Sequence, residues 1–274
     1  MSALSFVAAA ALATWGTSPQ RIVSLNVCTD QLLLQLVEPA RIASVTYLAS
    51  DPELSVLAAR ARGLRSGWAT AEEVILLRPD LTLAGEYGAR EAVEVVRRWG
   101  IPLVRFAPAE SWNDIREQLR RAAAAVGEEE KAEALLEHME GLLAALAARR
   151  SDGELRAILV QHDGATFGRG TLIDAVFRAA GFRNVASELG IVGYGWITLE
   201  RLIASKPDLV VIPRYHAEVP TLGQMYLRHP ALRGQRAGQI ELPASELFCG
   251  TTETVKAVQR LVEWRERARA GAAK

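Results

Sequence analysis

The stretch AEEVILLRPDLTLAG, residues 71–85, returns as LERLIASKPDLVVIP at residues 199–213. Glu72 aligns with Glu200, Pro79 with Pro207 and Asp80 with Asp208, at a constant offset of 128. Each copy reads as a short amphipathic helix, a Pro-Asp break and a buried strand. Solenoid units recur every few tens of residues, so a repeat this long means two similar lobes instead. Two similar lobes enclose a cleft, which points to ligand capture.

Outward from the first copy, strands alternate with helices. Residues 21–25 (RIVSL) predict a strand, and Thr29 or Asp30 predicts the cap of a helix running to about Val37. Strands are expected at 41–45, 81–84 and 102–106, and helices at 72–77 and 90–99. Such alternation implies a parallel sheet covered on both faces. Residues 111–150 carry no proline and no strand pattern. The segment 128–150 has acids at its start and arginines at its end, as the helix dipole favours. As one helix it would span on the order of 35 Å. Beyond it, strands at 155–160, 209–212 and 239–242 alternate with helices at 172–180 and 199–204, and a helix from Thr252 closes the chain. The expected fold is α/β: two Rossmann-like lobes with parallel sheets, joined by one long α-helix. The expected division is a leader at 1–19, a lobe at 20–110, a helical linker at 111–150 and a lobe at 151–274.

Composition narrows the function classes. Half of the 274 residues are hydrophobic, net charge is zero and pI is about 6.9. No Lys/Arg-rich block marks a nucleic-acid surface. Residues 1–13 (MSALSFVAAAALA) are apolar but too short to span a bilayer. They read as the apolar region of an export signal with Ala11-Leu12-Ala13 as a cleavage site, although a positive n-region is missing; the alternative is a frayed helical tail. No P-loop, G-x-S-x-G, H-E-x-x-H or C-x-x-C occurs. His162-Asp163 with Gly164, Gly168 and Gly170 is the nearest approach to a catalytic loop. A binding protein is therefore expected, not an enzyme. The alternatives are a receptor for a bare transition-metal ion, against which four histidines count, and a two-lobed metalloenzyme.

In open α/β sheets, ligands bind beyond the carboxyl ends of strands. The loops there nominate Cys28, Tyr47, Trp68 and Tyr87 in the first lobe. In the second they nominate His162, Phe167, Arg169, Tyr194, Trp196, Arg214, Tyr215, His216, Glu246 and Phe248. Aromatic faces there would hold a flat macrocycle or catecholate. Arg169 and Arg214 could neutralise an anionic chelate, and His162, His216 or a tyrosine could ligate its iron. No residue set stands out as a metal site. Cys28 and Cys249 admit three readings: buried inert thiols, a disulfide across the lobes, or soft metal ligands.

The pattern RIVSL…TAEEVILLRPDLTLAG…GIPLV, a long helix, then GFRNVA…WITLERLIASKPDLVVIP resembles the cobalamin/ferric-siderophore periplasmic binding proteins over about residues 20–266. The resemblance implies an exported, soluble, monomeric substrate-binding subunit of an ABC importer, without an intrinsic cofactor. Its ligand would be a bulky iron or cobalt chelate (a ferric siderophore, a corrinoid or haem) held between lobes that move little. It implies that Glu72 and Glu200, one per lobe, dock arginines of a membrane permease dimer. Tyr194, six residues before Glu200, falls where cobalamin-binding relatives place a stacking aromatic. Those relatives carry an acid and an arginine four apart before the last helix; here Glu246 keeps the acid and Gly250 stands where the arginine would be.

Overall fold

The computed structural model describes residues 18–150, 155–215 and 237–272. His216 and the expected leader before Ser18 lie outside the described residues.

The first lobe is a five-stranded parallel sheet in the order β3-β2-β1-β4-β5, built from β1 (Ile22–Ser24), β2 (Ile42–Thr46), β3 (Ser66–Gly67), β4 (Leu81–Gly85) and β5 (Leu103–Phe106). Its helices are α1 (Val27–Leu36), α2 (Ala58–Ala61), α3 (Ala71–Leu77) and α4 (Arg90–Arg98). Helix α1 begins earlier than the expected cap at Thr29 or Asp30. Asn26 is in extended backbone and its side chain accepts from Cys28 N at 2.9 Å, so the helix opens there. Helices α5 (Trp112–Val126) and α6 (Glu129–Ala148) follow, separated by Gly127 at φ 73°. At 20 residues α6 runs about 30 Å, the bridge read from the sequence.

The second lobe contains β6 (Leu155–Leu159), β7 (Ala165–Phe167), α7 (Leu172–Ala179), β8 (Phe182–Asn184), α8 (Val185–Glu188), β9 (Tyr194–Trp196), α9 (Leu199–Ser205) and β10 (Leu209–Arg214). After residue 236 come β11 (Gly238–Pro243), α10 (Ser245–Phe248), a 3-10 turn at Thr252–Thr254 and the closing helix α11 (Val255–Ala272). Its main sheet is parallel, in the order β11-β10-β6-β8. Read from the other edge, β8-β6-β10-β11 superposes in topology on β2-β1-β4-β5. Each lobe has one addition: β3 in the first, and in the second an antiparallel β7-β9 ribbon that the sequence reading did not contain.

The 128-residue repeat is physical as well as textual. Thr70 caps α3 and Thr198 caps α9, accepting from Glu73 N and Arg201 N at 3.3 Å each. Arg78 and Lys206 end these helices in the left-handed region, at φ 43° and 46°, and Pro79 and Pro207 forbid continuation. Asp80 then accepts from Arg21 N at 2.9 Å, and Asp208 from Arg156 N at 2.8 Å. The guanidinium of Arg21 donates to Leu77 O, and that of Arg156 to Ser205 O. In both lobes an Arg-Asp clamp therefore fastens the start of the first strand to the Pro-Asp turn.

One buried apolar cluster runs through both lobes, from Ile22 and Leu33 through Leu119, Leu136 and Met139 to Phe177 and Leu261. Smaller clusters under α3 and α4, and under α8 and α9, cover the opposite face of each sheet. Each fully buried leucine or phenylalanine contributes roughly 1.5–3 kcal/mol. The shared cluster therefore sets the relative position of the lobes.

Candidate functional site

The carboxyl ends of both sheets face a common cleft with two adjoining cavities. The first, about 290 Å³, is walled by Leu159, Leu172, Ile173 and Leu247, with Phe167, Tyr194 and Tyr215 among its aromatic lining. The second, about 200 Å³, lies against Cys28, Tyr87, Phe106 and Cys249. Pro108, Ala109 and Phe248 line both. Together they fall within the span of roughly 300–1,000 Å³ usual for small-molecule sites.

Of the nominated aromatics, Tyr87, Phe167, Tyr194, Tyr215 and Phe248 line these cavities, whereas Tyr47, Trp68 and Trp196 line neither. Trp68 is 71 % exposed, Tyr87 70 % and Trp196 62 %, with Tyr47, Tyr194 and Phe248 also exposed. Tyr47 and Trp68 pack ring to ring at 4.2 Å. In the second lobe the β7-β9 ribbon sets Phe167 edge-on to Tyr194 at 5.3 Å, and Tyr194 edge-on to Trp196 at 4.8 Å. Large apolar groups left in solvent as a cluster mark a binding surface.

The remaining nominated residues divide. Tyr215 is half-buried in the first cavity; burial first, then the Asp163 charge and Tyr194, raises its phenol above the ordinary tyrosine value. His162 stacks edgewise near Tyr215 at 6.5 Å, and its Nδ1 is buried with no hydrogen-bond partner among the described residues. Arg169 and Arg214 are exposed and line neither cavity. Glu246 is a correction: it is buried, and both carboxylate oxygens accept from Arg260 Nε at 3.0 Å. A carboxylate already satisfied in this way is a strut between α10 and α11, not a ligand contact. The missing arginine has a packing cause too. A Cβ on Gly250 would lie 2.4 Å from Ala109 Cβ and 3.0 Å from Ile115 Cγ1, so no side chain fits there.

Cys28 and Cys249 form a disulfide across 221 residues, with Cα atoms 5.2 Å apart. Of the three readings, the interlobe bridge holds; the thiols are unavailable as soft metal ligands. Thr252 Oγ1 donates to Gln35 Oε1 at 2.5 Å beside it, a second link between the lobes. Among the described residues no three His, Cys, Asp or Glu side chains gather as a metal group.

Glu72 and Glu200 occupy the second position of α3 and α9, and both are exposed. The Glu72 carboxyl is held below the usual carboxylate range by its own backbone N–H and by Thr70. The sequence reading missed how far this repeat extends toward the cleft. Gly67-Trp68-x-Thr70-x-Glu72 matches Gly195-Trp196-x-Thr198-x-Glu200 at the same offset of 128. The partner of Trp68 is therefore Trp196. In the first lobe the Glu73 carboxylate accepts from Trp68 N and Thr70 N, both at 3.1 Å, joining the aromatic to the helix start. Extending the alignment four residues upstream was the signal. Pro108 and Ala109 were also missed, although they follow strand β5 and the rule about carboxyl ends covers them.

With this geometry in hand, similarity to known proteins decides the family. A family model described as periplasmic binding protein matches residues 22–240. The chain belongs to the periplasmic binding protein family. A cobalamin-binding protein of Halobacterium salinarum is 28 % identical over 206 residues, covering 72 % of this chain and 55 % of the relative. The chain thus spans about half the length of that curated relative. Among solved structures, the periplasmic heme-binding protein RhuT from Roseiflexus sp. RS-1 is 27 % identical, with a TM-score of 0.74 over 89 % of this chain and 96 % of that one. The vitamin B12 binding protein BtuF of Vibrio cholerae shares the fold at 16 % identity, with a TM-score of 0.70 over 92 % of this chain and 98 % of that one. Membership in a family of binding proteins agrees with the non-catalytic reading. Among the described residues no helix is long and apolar enough to cross a membrane.

Proposed function

We propose that this protein is the substrate-binding component of an ABC importer, and that it captures a flat, bulky metal chelate between its lobes. The observation that carries the proposal is a largely apolar cleft lined by aromatics of both lobes, Tyr87 and Phe106 from the first and Phe167, Tyr194, Tyr215 and Phe248 from the second. Nothing in a scaffold role accounts for Trp68 and Trp196 standing in solvent at matched positions. Apolar faces on both sides suit a planar macrocycle better than a bare ion, which needs convergent His and carboxylate ligands. Relatives named for haem and for cobalamin make a tetrapyrrole the favoured class. Tyr47, Tyr87, Tyr194, Tyr215 and His162 are the groups that could reach its metal. The metal enters as part of the cargo, and the protein needs no cofactor of its own. It acts in the periplasm.

The deciding experiment is a tryptophan-quenching titration with haemin, cyanocobalamin, a ferric hydroxamate, a ferric catecholate, and zinc and manganese salts. Saturable quenching by haemin or cyanocobalamin at micromolar strength or tighter is expected. Response to a bare metal salt alone would replace the proposal with a metal-ion receptor.

Docking forms the second half of the proposal. Glu72 and Glu200 present one carboxylate per lobe, a pseudo-two-fold pair suited to the arginines of a two-fold permease. The double variant Glu72→Gln, Glu200→Gln should lose stimulation of transport and keep its ligand affinity. Loss of ligand affinity in that variant would contradict the assignment.

A further inference from the structure

Each lobe buries one aspartate in the first turn of its first helix: Asp30 in α1 and Asp174 in α7. Neither touches the cleft. Both reach the end of the strand that pairs beside the lobe's first strand, β2 in one lobe and β8 in the other. Asp30 accepts from Thr46 N at 3.1 Å and from Thr46 Oγ1 at 2.5 Å. Thr46 is the last residue of β2, and the next is Tyr47, whose ring packs on Trp68. Asp174 accepts from Asn184 Nδ2 at 3.2 Å and Ser187 Oγ at 2.9 Å. The same Asn184 Nδ2 donates to Phe167 O at 2.9 Å, and Phe167 packs on Tyr194.

The arrangement is one device used twice. A buried carboxylate fixes a polar strand-end residue, and that residue fixes the backbone carrying the lobe's aromatic wall. An exposed ring has little packing to hold it, so its direction is set by the backbone beneath it. A buried carboxylate is costly, and it persists where hydrogen bonds over-determine its position. We propose that Asp30 and Asp174 are positioning residues for ligand capture, each orienting the aromatic wall of its own lobe: Asp30 through Thr46 for Tyr47 and Trp68, Asp174 through Asn184 for Phe167 and Tyr194. This inference rests on the reading of the cleft as the chelate site.

The test is a set of double-mutant cycles on haemin and cyanocobalamin affinity, using the full chain. Asp30→Ala should weaken binding about tenfold, and Asp30→Asn, which keeps an acceptor oxygen, should recover most of it. The losses from Asp30→Ala and Trp68→Ala should not add, because both remove the same wall, whereas Asp30→Ala and Tyr194→Ala should add. Asp174→Ala should show the mirror pattern, coupled to Tyr194→Ala and additive with Trp68→Ala. If Asp30→Ala fails to fold, Thr46→Val removes one link of the same chain and carries the same expected coupling. Additivity in every pair, or unchanged affinity in the aspartate variants, overturns the proposal while leaving the chelate reading intact. Failure of the unaltered protein to bind either probe overturns that reading and this inference with it.

Discussion

Asp30 shows what a single residue states about the cost of the site. It is 0 % exposed, and burial, opposed by hydrogen bonds from Ser24 and Thr46, raises its carboxyl from 3.8 to about 6. The folded protein therefore binds this proton more tightly than the unfolded chain does, so the contribution of Asp30 to stability falls as pH rises between the two values. At neutral pH the cost amounts to about 3 kcal/mol. Asp30→Asn should therefore gain stability relative to the unaltered protein as the buffer moves from about pH 4 to pH 7. Denaturant melts at several pH values would read this, and parallel profiles would refute it. At the same scale, Glu246 and Gly250 explain where sequence reasoning strayed. Both follow the carboxyl end of β11, Glu246 on the short helix α10 and Gly250 just after it, which is the right address for a ligand contact. Their actual roles depend on Arg260 and Ala109, distant neighbours that no spacing rule reveals.

Among the elements, the bridge is held by an arginine and not only by apolar packing. Arg265 on α11 is 1 % exposed and donates to Ala180 O at 2.7 Å and to Arg149 O at 3.0 Å, so it ties the ends of α7 and α6 together. Gly181 makes room for it: the glycine has φ 80°, and a Cβ there would lie 2.2 Å from Arg265 Nη1. Arg265→Met should destabilise the protein by about 2–4 kcal/mol, since two helix-end carbonyls lose their donors. A thermal melt checks this, and a change within error would mean that water replaces the guanidinium. The long helices were legible because Gly127 and the charge gradient of residues 128–150 are local signals. The strands β7 and β9 were not. Each has three residues, and their pairing across the intervening α7 and β8 is a tertiary event.

At the scale of the whole molecule, the lobes are joined four ways: through α6, through the shared apolar cluster, through the disulfide between Cys28 and Cys249 and through the Thr252–Gln35 hydrogen bond. A 221-residue loop closure stabilises by roughly 5 kcal/mol at most in the chain-entropy account. Denatured, unreduced protein should show no free thiol. Reduction, or Cys28→Ser with Cys249→Ser, should lower the melting temperature and leave the far-ultraviolet circular dichroism unchanged, because α6 and the common core persist. Unchanged melting would mean that the bridge adds nothing beyond that core. These links suit a receptor that presents a nearly fixed cleft and a fixed spacing between Glu72 and Glu200.

The sequence by itself determined the plan: two α/β lobes from one repeat, a helical bridge, matched glutamates at the repeat-related helix starts, and aromatics beyond the strand ends. Those follow from periodicity, proline breaks and caps, which act over a few residues. Only the tertiary structure decided that the cysteines pair, that Glu246 serves Arg260, and that Asp30 and Asp174 stand behind the aromatic walls. These depend on which side chains meet across separations of 10 to 221 residues. Burial and hydrogen-bond satisfaction settle those meetings together, and no local pattern encodes them.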